Sequence, residues 1–283
     1  MKNKIALITG ATAGIGKETA LGIAKTGAKV VLIGRNKAKC EEVAAEIKRA
    51  TNNENVEFLV ADLFSLAEIR RVADEFKSKY DRLDILVNNA GAIFDKREVT
   101  VDGFEKTFAL NHLSYFLLTN LLLDVVKQSE PARIISVSSV AHTFASEINF
   151  DDLQFERRSY SGFGVYGASK LMNILFTYEL ASRLKDTKIT ANCLHPGGVA
   201  TNFGDNTGGF LKMFVWLFKN TFAISSAKGA ETSVYLATSP EVENVTGKYF
   251  DSKKAKDSSK ISHDENLQKR LWEVSEKIVG QTF

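Results

Sequence analysis

The sequence predicts a three-layer α/β fold built on a doubly wound, parallel sheet. Short runs of β-branched and aliphatic residues alternate along the chain with segments of helical periodicity, which is the order expected of strands joined by crossover helices. The runs are apolar throughout, as in strands that are buried on both faces. No linker, repeat or low-complexity tract divides the 283 residues, so we expect a single domain over 1–283.

Individual strands and helices can be placed from this pattern. The predicted strands cover 5–9, 29–33, 56–60, 85–87, 133–137 and 189–194. The predicted helices cover 15–26, 37–50, 66–80, 104–127, 165–184 and 264–279. We expect an irregular insertion at 203–225, followed by one further helix and one further strand. In such folds the loops at the carboxyl ends of the strands build the ligand site.

Composition and charge exclude several classes of function. The net charge is only +3 and the charges are interspersed, so nothing indicates a nucleic-acid-binding surface. Cys40 and Cys193 lie far apart and outside any Cys/His cluster, which predicts reduced thiols, no bound metal and a cytoplasmic location. The apolar run at 5–8 is too short for a signal peptide or a membrane span.

A glycine-rich turn, Thr9-Gly-Ala-Thr-Ala-Gly-Ile-Gly16, connects the first predicted strand to the first helix. Glycines let the backbone approach a diphosphate closely, and the amino end of a helix presents free N–H groups to phosphates. A plain strand–helix turn is the alternative, but the position at the start of a βαβ unit favours dinucleotide binding. The candidate residues are Gly10, Thr12, Gly14, Ile15 and Gly16.

The end of the second strand bears on the choice of dinucleotide. An acidic residue there commonly holds the free 2′-hydroxyl of an NAD(H) ribose, but the sequence has Gly34-Arg35-Asn36. The guanidinium of Arg35 offers a fork of donors that suits a 2′-phosphate, with Asn36 beside it. A solvated surface arginine is the alternative interpretation. We therefore expect NADP(H) as the preferred cofactor, with NAD(H) as the alternative.

Four motifs follow one another along nearly the whole chain. They are TGxxxGxG at 9–16, Asn88-Asn-Ala-Gly91, Ser138-Ser139 and Tyr166-Gly-Ala-Ser-Lys170. Each is weak alone, whereas the ordered set is specific, and together they resemble the short-chain dehydrogenase/reductase family. The resemblance implies a Rossmann-type fold, a nicotinamide cofactor and a Ser-Tyr-Lys-Asn catalytic group.

The resemblance also implies roles for individual residues. The implied catalytic residues are Ser139, Tyr166, Lys170 and Asn111. Asp62 and Leu63 match the pair beside the adenine. The implied contacts of the ribose are Asn89, Ala90 and Gly91, and those of the nicotinamide carboxamide are Pro196, Gly197, Val199 and Thr201.

Carbonyl reduction explains why these residue types are needed, since a hydride and a proton must reach opposite ends of one C=O group. Tyr166 and Lys170 are four residues apart on a predicted helix and share a face, so the ammonium, together with the positive oxidised nicotinamide, should lower the pKa of the phenol. Ser139 would donate to the substrate oxygen, with Ser138 as its rival. Asn111 would position a water behind the lysine. Taken singly, these residues are ordinary packing or surface positions.

A narrower likeness concerns the substrate. The motifs Ser138-Ser-Val-Ala-His142 and Gly247-Lys-Tyr-Phe250 resemble the retinol dehydrogenase and carbonyl reductase branch of the family. The aromatic segment at 208–222 is interpreted as a lid or substrate-binding helix for an apolar alcohol, aldehyde or ketone. A helix packed on the core or on another subunit, or lying at a membrane interface, is the alternative.

Further expectations concern the pocket and the partners. Phe144 and Phe163 are candidates for the substrate pocket, and His195 is expected to be a buried, hydrogen-bonded side chain. The helices at 104–127 and 165–184 are apolar enough to pair across subunits, and the resemblance implies a homodimer or homotetramer. Two other functions stay open. One is a non-catalytic dinucleotide-binding regulatory protein, and the other is an epimerase or dehydratase of the same family.

Overall fold

The computed structural model describes residues 1–198 and 224–283, which form one sheet covered by helices on both faces. The strands are β1 (Ile5–Thr9), β2 (Lys29–Gly34), β3 (Val56–Val60), β4 (Ile85–Asn88), β5 (Ala132–Val137), β6 (Ile189–His195), β7 (Tyr249–Asp251) and β8 (Lys254–Lys256). They lie in the order β3-β2-β1-β4-β5-β6-β7-β8, and every pair except β7–β8 is parallel. The predicted doubly wound α/β fold is confirmed.

Helices flank the sheet in two layers. They are α1 (Gly14–Ala24), α2 (Lys37–Thr51), α3 (Leu66–Lys79), α4 (Lys106–Phe108), α5 (Ser114–Leu121), α6 (Leu123–Lys127), α7 (Gly162–Arg183), α8 (Ser226–Thr238) and α9 (Glu265–Val279). Neighbouring residues of one strand point to opposite faces of the sheet. Leu7 packs in the cluster with α3, α5, α7 and α9. Ala6 and Ile8 pack with α1, α2 and α8. This alternation is why the strands are apolar on both faces.

The region predicted as one helix over 104–127 is interrupted twice. It contains a π-helical turn at Ala109–Leu113, and α5 ends at Leu121 before α6 begins at Leu123. Polar side chains compete for backbone carbonyls along this region, because Ser114 Oγ donates to the carbonyl of Leu110 (2.6 Å). The sequence pattern could not show the π turn, because apolar residues flank Asn111 and His112 on both sides as they would in a regular helix.

A β-hairpin at the edge of the sheet was also missed from the sequence, which predicted only one last strand. β7 and β8 are antiparallel and are joined by Ser252 and Lys253, which have φ of 52° and 64°. Two consecutive residues with positive φ form the tight turns that favour Asn-Gly or Asp-Gly. Ser-Lys gives no such signal, so the hairpin could not be recognised.

The two helices expected to pair across subunits have large apolar surfaces buried within the chain. Trp272 of α9 is 1% exposed, and its ring lies 4.9 Å from that of Phe116 on α5 and 5.7 Å from that of Phe176 on α7. The surfaces of α5 and α7 that α9 covers are therefore not free to contact another subunit. The apolar character of these helices is explained in part by this packing within the chain. The homodimer or homotetramer stays a prediction.

Within the described ranges, no helix combines the length and the apolar character required to cross a membrane. Residues 199–223, which hold most of the insertion predicted at 203–225, lie outside the described residues.

Removing the Trp272 side chain tests how much α9 contributes to the core. We expect Trp272→Ala to lower the free energy of unfolding by about 3–5 kcal/mol, because a large, fully buried ring is replaced by a cavity. Urea denaturation followed by circular dichroism measures the change. Val101→Ala is the matched control, since Val101 is 88% exposed and should change stability by less than about 0.5 kcal/mol. Equal effects of the two variants would show that α9 only rests on the surface.

Candidate active site at the carboxyl edge of the sheet

The turn after β1 has room only for glycine at two of its positions. A Cβ atom on Gly16 would lie 2.3 Å from the carbonyl oxygen of Gly10, and one on Gly10 would lie 2.9 Å from the Cα of Ala90. Gly10 and Gly14 also have positive φ, 64° and 54°, which other residues adopt with strain. The backbone is thereby exposed at the amino end of α1, as a bound diphosphate requires.

The amino end of α1 differs from those of other long helices. Ala13 occupies its N-cap position and no side chain caps it, whereas the side chains of Asn36 and Ser161 cap α2 and α7. No side chain of residues 1–198 or 224–283 caps this end of the helix, which leaves its first N–H groups available to an anion. Thr12 and Ile15, both half-buried, lie in this turn.

Thr9 and Asn89 join the ends of β1 and β4. The hydroxyl oxygen of Thr9 accepts hydrogen bonds from the N–H groups of Asn89 (2.9 Å) and Ala90 (3.0 Å), and Asn89 Nδ2 donates to the carbonyl of Thr9 (2.8 Å). The side-chain amide of Asn89 therefore holds the glycine-rich turn. Gly91 follows and faces the catalytic group, because a Cβ atom there would lie 3.4 Å from Lys170 Nζ.

The residues assigned to the adenosine half lie at the ends of β2 and β3. Arg35 is exposed, and its side chain bonds to none of the described residues. Asn36 is also exposed, but its Oδ1 accepts a hydrogen bond from the N–H of Lys39 (3.0 Å) and so caps α2. Asp62 is exposed, whereas Leu63 is buried. The guanidinium of Arg35 is thus available to bind a phosphate at the end of β2.

Ser139, Tyr166 and Lys170 come together beyond the end of β5. The side chain of Tyr166 is hydrogen-bonded to that of Ser139. Lys170 Nζ lies 5.5 Å from the centre of the Tyr166 ring and donates to the carbonyl of Val137 (2.9 Å). Tyr166 and Lys170 share one face of α7, as the spacing predicted.

The two adjacent serines have different partners. Ser138 Oγ is buried and donates to the carbonyl of Lys170 (2.8 Å). Ser139 Oγ accepts from the N–H of Ala141 (3.1 Å) and also meets Tyr166. The geometry therefore favours Ser139 over its rival as the serine that faces a substrate.

Asn111 lies in the π-helical turn, fully buried. Its Oδ1 accepts from the N–H of Ala92 (2.9 Å), and its Nδ2 donates to the carbonyl of Ala92 (3.0 Å) and to Ser169 Oγ (3.0 Å). Ser169 Oγ in turn donates to the carbonyl of Tyr166 (2.7 Å). The side-chain amide of Asn111, which was expected to position a water, is thus hydrogen-bonded within the chain. It connects the segment after β4 to the helix that carries Tyr166.

Burial dominates the pKa shifts of Tyr166 and Lys170. It raises the pKa of Tyr166 above its usual value, although the hydrogen bond with Ser139 opposes the shift. Burial also lowers the pKa of Lys170 to about 7. In the chain alone burial outweighs any lowering of the Tyr166 pKa, and the lowering expected from Lys170 together with an oxidised nicotinamide stays a prediction.

Two histidines hold the loop that carries Ser139. Nδ1 of His195 accepts a hydrogen bond from the N–H of Val140 (3.1 Å), so this side chain is hydrogen-bonded as predicted. His142 is bonded to the carbonyl of Ser139 through its own Nδ1 (2.6 Å). Sequence reasoning missed this function of His142, and its place in the motif that begins at Ser138 was the only signal.

The last predicted contacts lie after β6. Gly197 has φ of +85°, and Pro196 precedes it at the sheet edge. The N–H of Ile224 donates to the carbonyl of Gly198 (2.7 Å), so the chain returns to this edge. Three predictions fall outside the described residues, namely those on Val199, Thr201 and the segment at 208–222.

A family model described as short chain dehydrogenase matches residues 4–150 and 154–209. The chain belongs to the short-chain dehydrogenase/reductase family. Mouse retinol dehydrogenase 13 is 44% identical over 286 residues, which cover 98% of this chain and 84% of that protein. Human polyprenol dehydrogenase is 40% identical over 98% of this chain and 86% of its own length. This short-chain dehydrogenase/reductase is thus an oxidoreductase of the retinol dehydrogenase-like kind.

Solved structures of family members share the fold. An uncharacterized protein from Mycobacterium paratuberculosis has a TM-score of 0.80 and 30% identity, with 99% of this chain and 95% of that chain covered. A short chain dehydrogenase from Escherichia coli CFT073, crystallised with NADPH, has a TM-score of 0.70 and 25% identity over 90% of this chain and 98% of that chain. These likenesses support a nicotinamide dinucleotide as the cofactor.

A methyl group placed in the glycine-rich turn tests dinucleotide binding. We expect Gly16→Ala to weaken NADPH binding by at least tenfold, because its Cβ would lie 2.3 Å from the carbonyl oxygen of Gly10. Quenching of protein fluorescence by added NADPH measures the dissociation constant. Gly164→Ala is the control, since its Cβ meets only Ser161 at an ordinary 3.6 Å. Unchanged binding by Gly16→Ala would place the diphosphate elsewhere.

Proposed function

We propose that this protein transfers a hydride between NADP(H) and a lipophilic alcohol, aldehyde or ketone, with Tyr166 as the general acid/base. The observation that carries the proposal is the buried hydroxyl of Tyr166. It is paired with Ser139 at the edge of the sheet where the glycine-rich turn lies, with Lys170 on the same helix face. These side chains form one group that can exchange a proton with a substrate oxygen.

The glycine-rich turn and the uncapped amino end of α1 would hold the diphosphate, and Arg35 would pair with the 2′-phosphate. Arg35 supports NADP(H) over NAD(H), because its guanidinium is exposed and bonds to none of the described residues. The bound dinucleotide supplies or accepts the hydride. The NADPH complex of the related bacterial enzyme supports the same choice.

The chain's own residues provide the proton and hold the substrate oxygen. Burial keeps Tyr166 protonated, so in the reductive direction the phenol is ready to donate. Ser139 stabilises the charge that develops on the substrate oxygen. Lys170 carries most of its charge below its pKa of about 7, and a charged Lys170 favours the phenolate that forms as the proton leaves.

The class of substrate is inferred from the surface beside Tyr166. Phe144 is 66% exposed and Phe163 is 37% exposed, and their ring centres are 5.2 Å apart. Phe163 lies one helical turn before Tyr166, and Val140, 49% exposed, directly follows Ser139. Large apolar side chains grouped at the surface indicate a binding site. The names of the retinol and polyprenol dehydrogenases support a lipophilic substrate.

The decisive experiment follows NADPH absorbance while the protein is mixed with aldehydes and ketones of increasing apolar size. We expect turnover that improves with apolar size. Tyr166→Phe should reduce kcat by at least a thousandfold, since the proton donor is lost, while NADPH binding is retained.

Tyr80→Phe is the matched control for this variant. Tyr80 is buried to the same degree as Tyr166, 8% against 9% exposed, and its hydroxyl donates to Glu57 (2.8 Å), outside the group around Tyr166. Retained activity of Tyr166→Phe would refute the mechanism. NADPH binding without turnover of any carbonyl by the unmodified protein would favour the regulatory alternative.

Cofactor selectivity is tested separately at Arg35. We expect the unmodified protein to have a higher kcat/KM for NADPH than for NADH. Arg35→Asp should reverse the preference, because a carboxylate repels the 2′-phosphate and accepts hydrogen bonds from a free 2′-hydroxyl. Lys37→Asp makes the same change of charge two residues further on, where Lys37 pairs with Glu41 (3.8 Å), and should alter selectivity less. A preference of the unmodified protein for NADH would contradict the assignment.

A further inference from the structure

Both ring nitrogens of His142 are bonded to the backbone. The N–H of Ser259 donates to Nε2 (3.0 Å), so Nε2 must be the unprotonated nitrogen. The hydrogen then resides on Nδ1, which donates to the carbonyl of Ser139 (2.6 Å). Because the ring is almost fully buried, 2% exposed, and burial lowers its pKa, this neutral tautomer is the form held at neutral pH.

The hydrogen bond from His142 to the carbonyl of Ser139 helps to orient the hydroxyl of the same serine, which faces Tyr166. The carbonyl of Ser139 accepts two hydrogen bonds from His142, one from its backbone N–H (3.1 Å) and one from Nδ1 (2.6 Å). The hydroxyl oxygen of the same serine accepts from the N–H of Ala141 (3.1 Å). The orientation of the Ser139 side chain thus depends on a short 3₁₀ turn that His142 closes.

The other side of His142 contacts the segment at 257–263, which connects β8 to α9. This segment is itself fixed. Ser258 Oγ is bonded to Tyr178 on α7 (2.7 Å) and to Ser262 Oγ (2.6 Å), and Ser262 Oγ donates to the carbonyl of Ser259 (2.6 Å). The N–H of Ser259 is therefore presented to His142 by a rigid support.

We propose that His142 is a positioning residue for Ser139, and that the segment at 257–263 fixes its tautomer through the N–H of Ser259. A chain of hydrogen bonds then runs from this segment, far from Ser139 in sequence, to the serine that holds the substrate oxygen. The proposal rests on the proposed function only in that Ser139 contacts the substrate. A ring without the Ser259 bond could place its hydrogen on Nε2, which would leave two acceptors, Nδ1 and the Ser139 carbonyl, facing each other.

The backbone of Ser259 permits a substitution that removes the donor. Its φ is −59°, within the range of proline, which has no N–H and carries a ring carbon where the hydrogen points at Nε2. Ser259→Pro therefore removes the bond and also crowds the imidazole, so its effect is compared with that of the His142 variants below. Ser259→Ala is the matched control. It keeps the N–H and loses no hydrogen bond, because Ser259 Oγ is buried without a partner among the described residues.

We expect Ser259→Pro to lower kcat on the order of tenfold, as small displacements of a contacting group do, with KM for NADPH unchanged. Ser259→Ala should retain the kcat of the unmodified protein, and the thermal midpoints of the two variants should agree within a few degrees. Equal kcat values for the two variants would overturn the proposal.

A second pair of variants decides the matter if Ser259→Pro does not fold. The amide nitrogen of an asparagine can take the place of Nδ1, and the amide oxygen of a glutamine can take the place of Nε2. His142→Asn should therefore keep kcat within about threefold, since it retains the donor to Ser139. His142→Gln, which retains only the acceptor for Ser259, should lose about tenfold or more. The reverse order would overturn the proposal.

The tautomer can be observed without turnover. Imidazole ¹⁵N shifts in NMR distinguish a protonated Nδ1 from a protonated Nε2, and the His142 signals are assigned by their loss in His142→Asn. We expect Nδ1–H in Ser259→Ala and a mixture or the other tautomer in Ser259→Pro. If no carbonyl is reduced by the unmodified protein, the proposed function fails while this measurement still tests the tautomer. Nδ1–H in both variants would overturn the proposal.

Discussion

The arrangement of the site depends on hydrogen bonds that join the ends of β1 and β4. Thr9 and Asn89 bond to each other through side chain and backbone, and the glycine-rich turn and the segment after β4 both extend from this junction. Asn111 then binds the backbone of Ala92 and Ser169. Together with the backbone from Asn89 to Ala92, these hydrogen bonds connect the turn to the helix of Tyr166. A shift at the junction would therefore move the proposed cofactor site and the proposed catalytic residues together.

Burial favours the neutral forms of both Tyr166 and Lys170. The pKa of Tyr166 is raised and that of Lys170 is lowered to about 7 for the same reason, since the charged form of each is poorly solvated. A neutral phenol and a weakly charged amine suit proton donation. Alcohol oxidation needs the opposite state of the phenol, and a positive charge near Tyr166 would shift the balance. In the proposed mechanism an oxidised nicotinamide held beside Tyr166 would supply such a charge, which would link the protonation state of Tyr166 to the redox state of the cofactor.

Much of the fold could be predicted because it depends on local patterns, and local patterns also indicate the residues of the proposed catalytic group. Apolar runs separated by helical periodicity define the sheet, and the spacing of Tyr166 and Lys170 defines a shared helix face. What could not be predicted depends on three-dimensional neighbours. Asn36 and Asn89 were assigned to the cofactor by position, whereas their side chains cap α2 and hold the turn. The role of His142 requires Ser259, which no local pattern brings near it.

The packing of α9 has a consequence for how the chain folds during synthesis. Phe116 and Phe176 leave the ribosome long before Trp272, yet their rings are covered by it. Until α9 has emerged, the nascent chain presents these surfaces of α5 and α7 to solvent, where they can bind chaperones or aggregate. This half of the core therefore closes late in translation. The layer with α1 and α2 is completed by Leu236 and Ala237 of α8, which also follows β6, so both faces of the sheet depend on helices that are synthesised late.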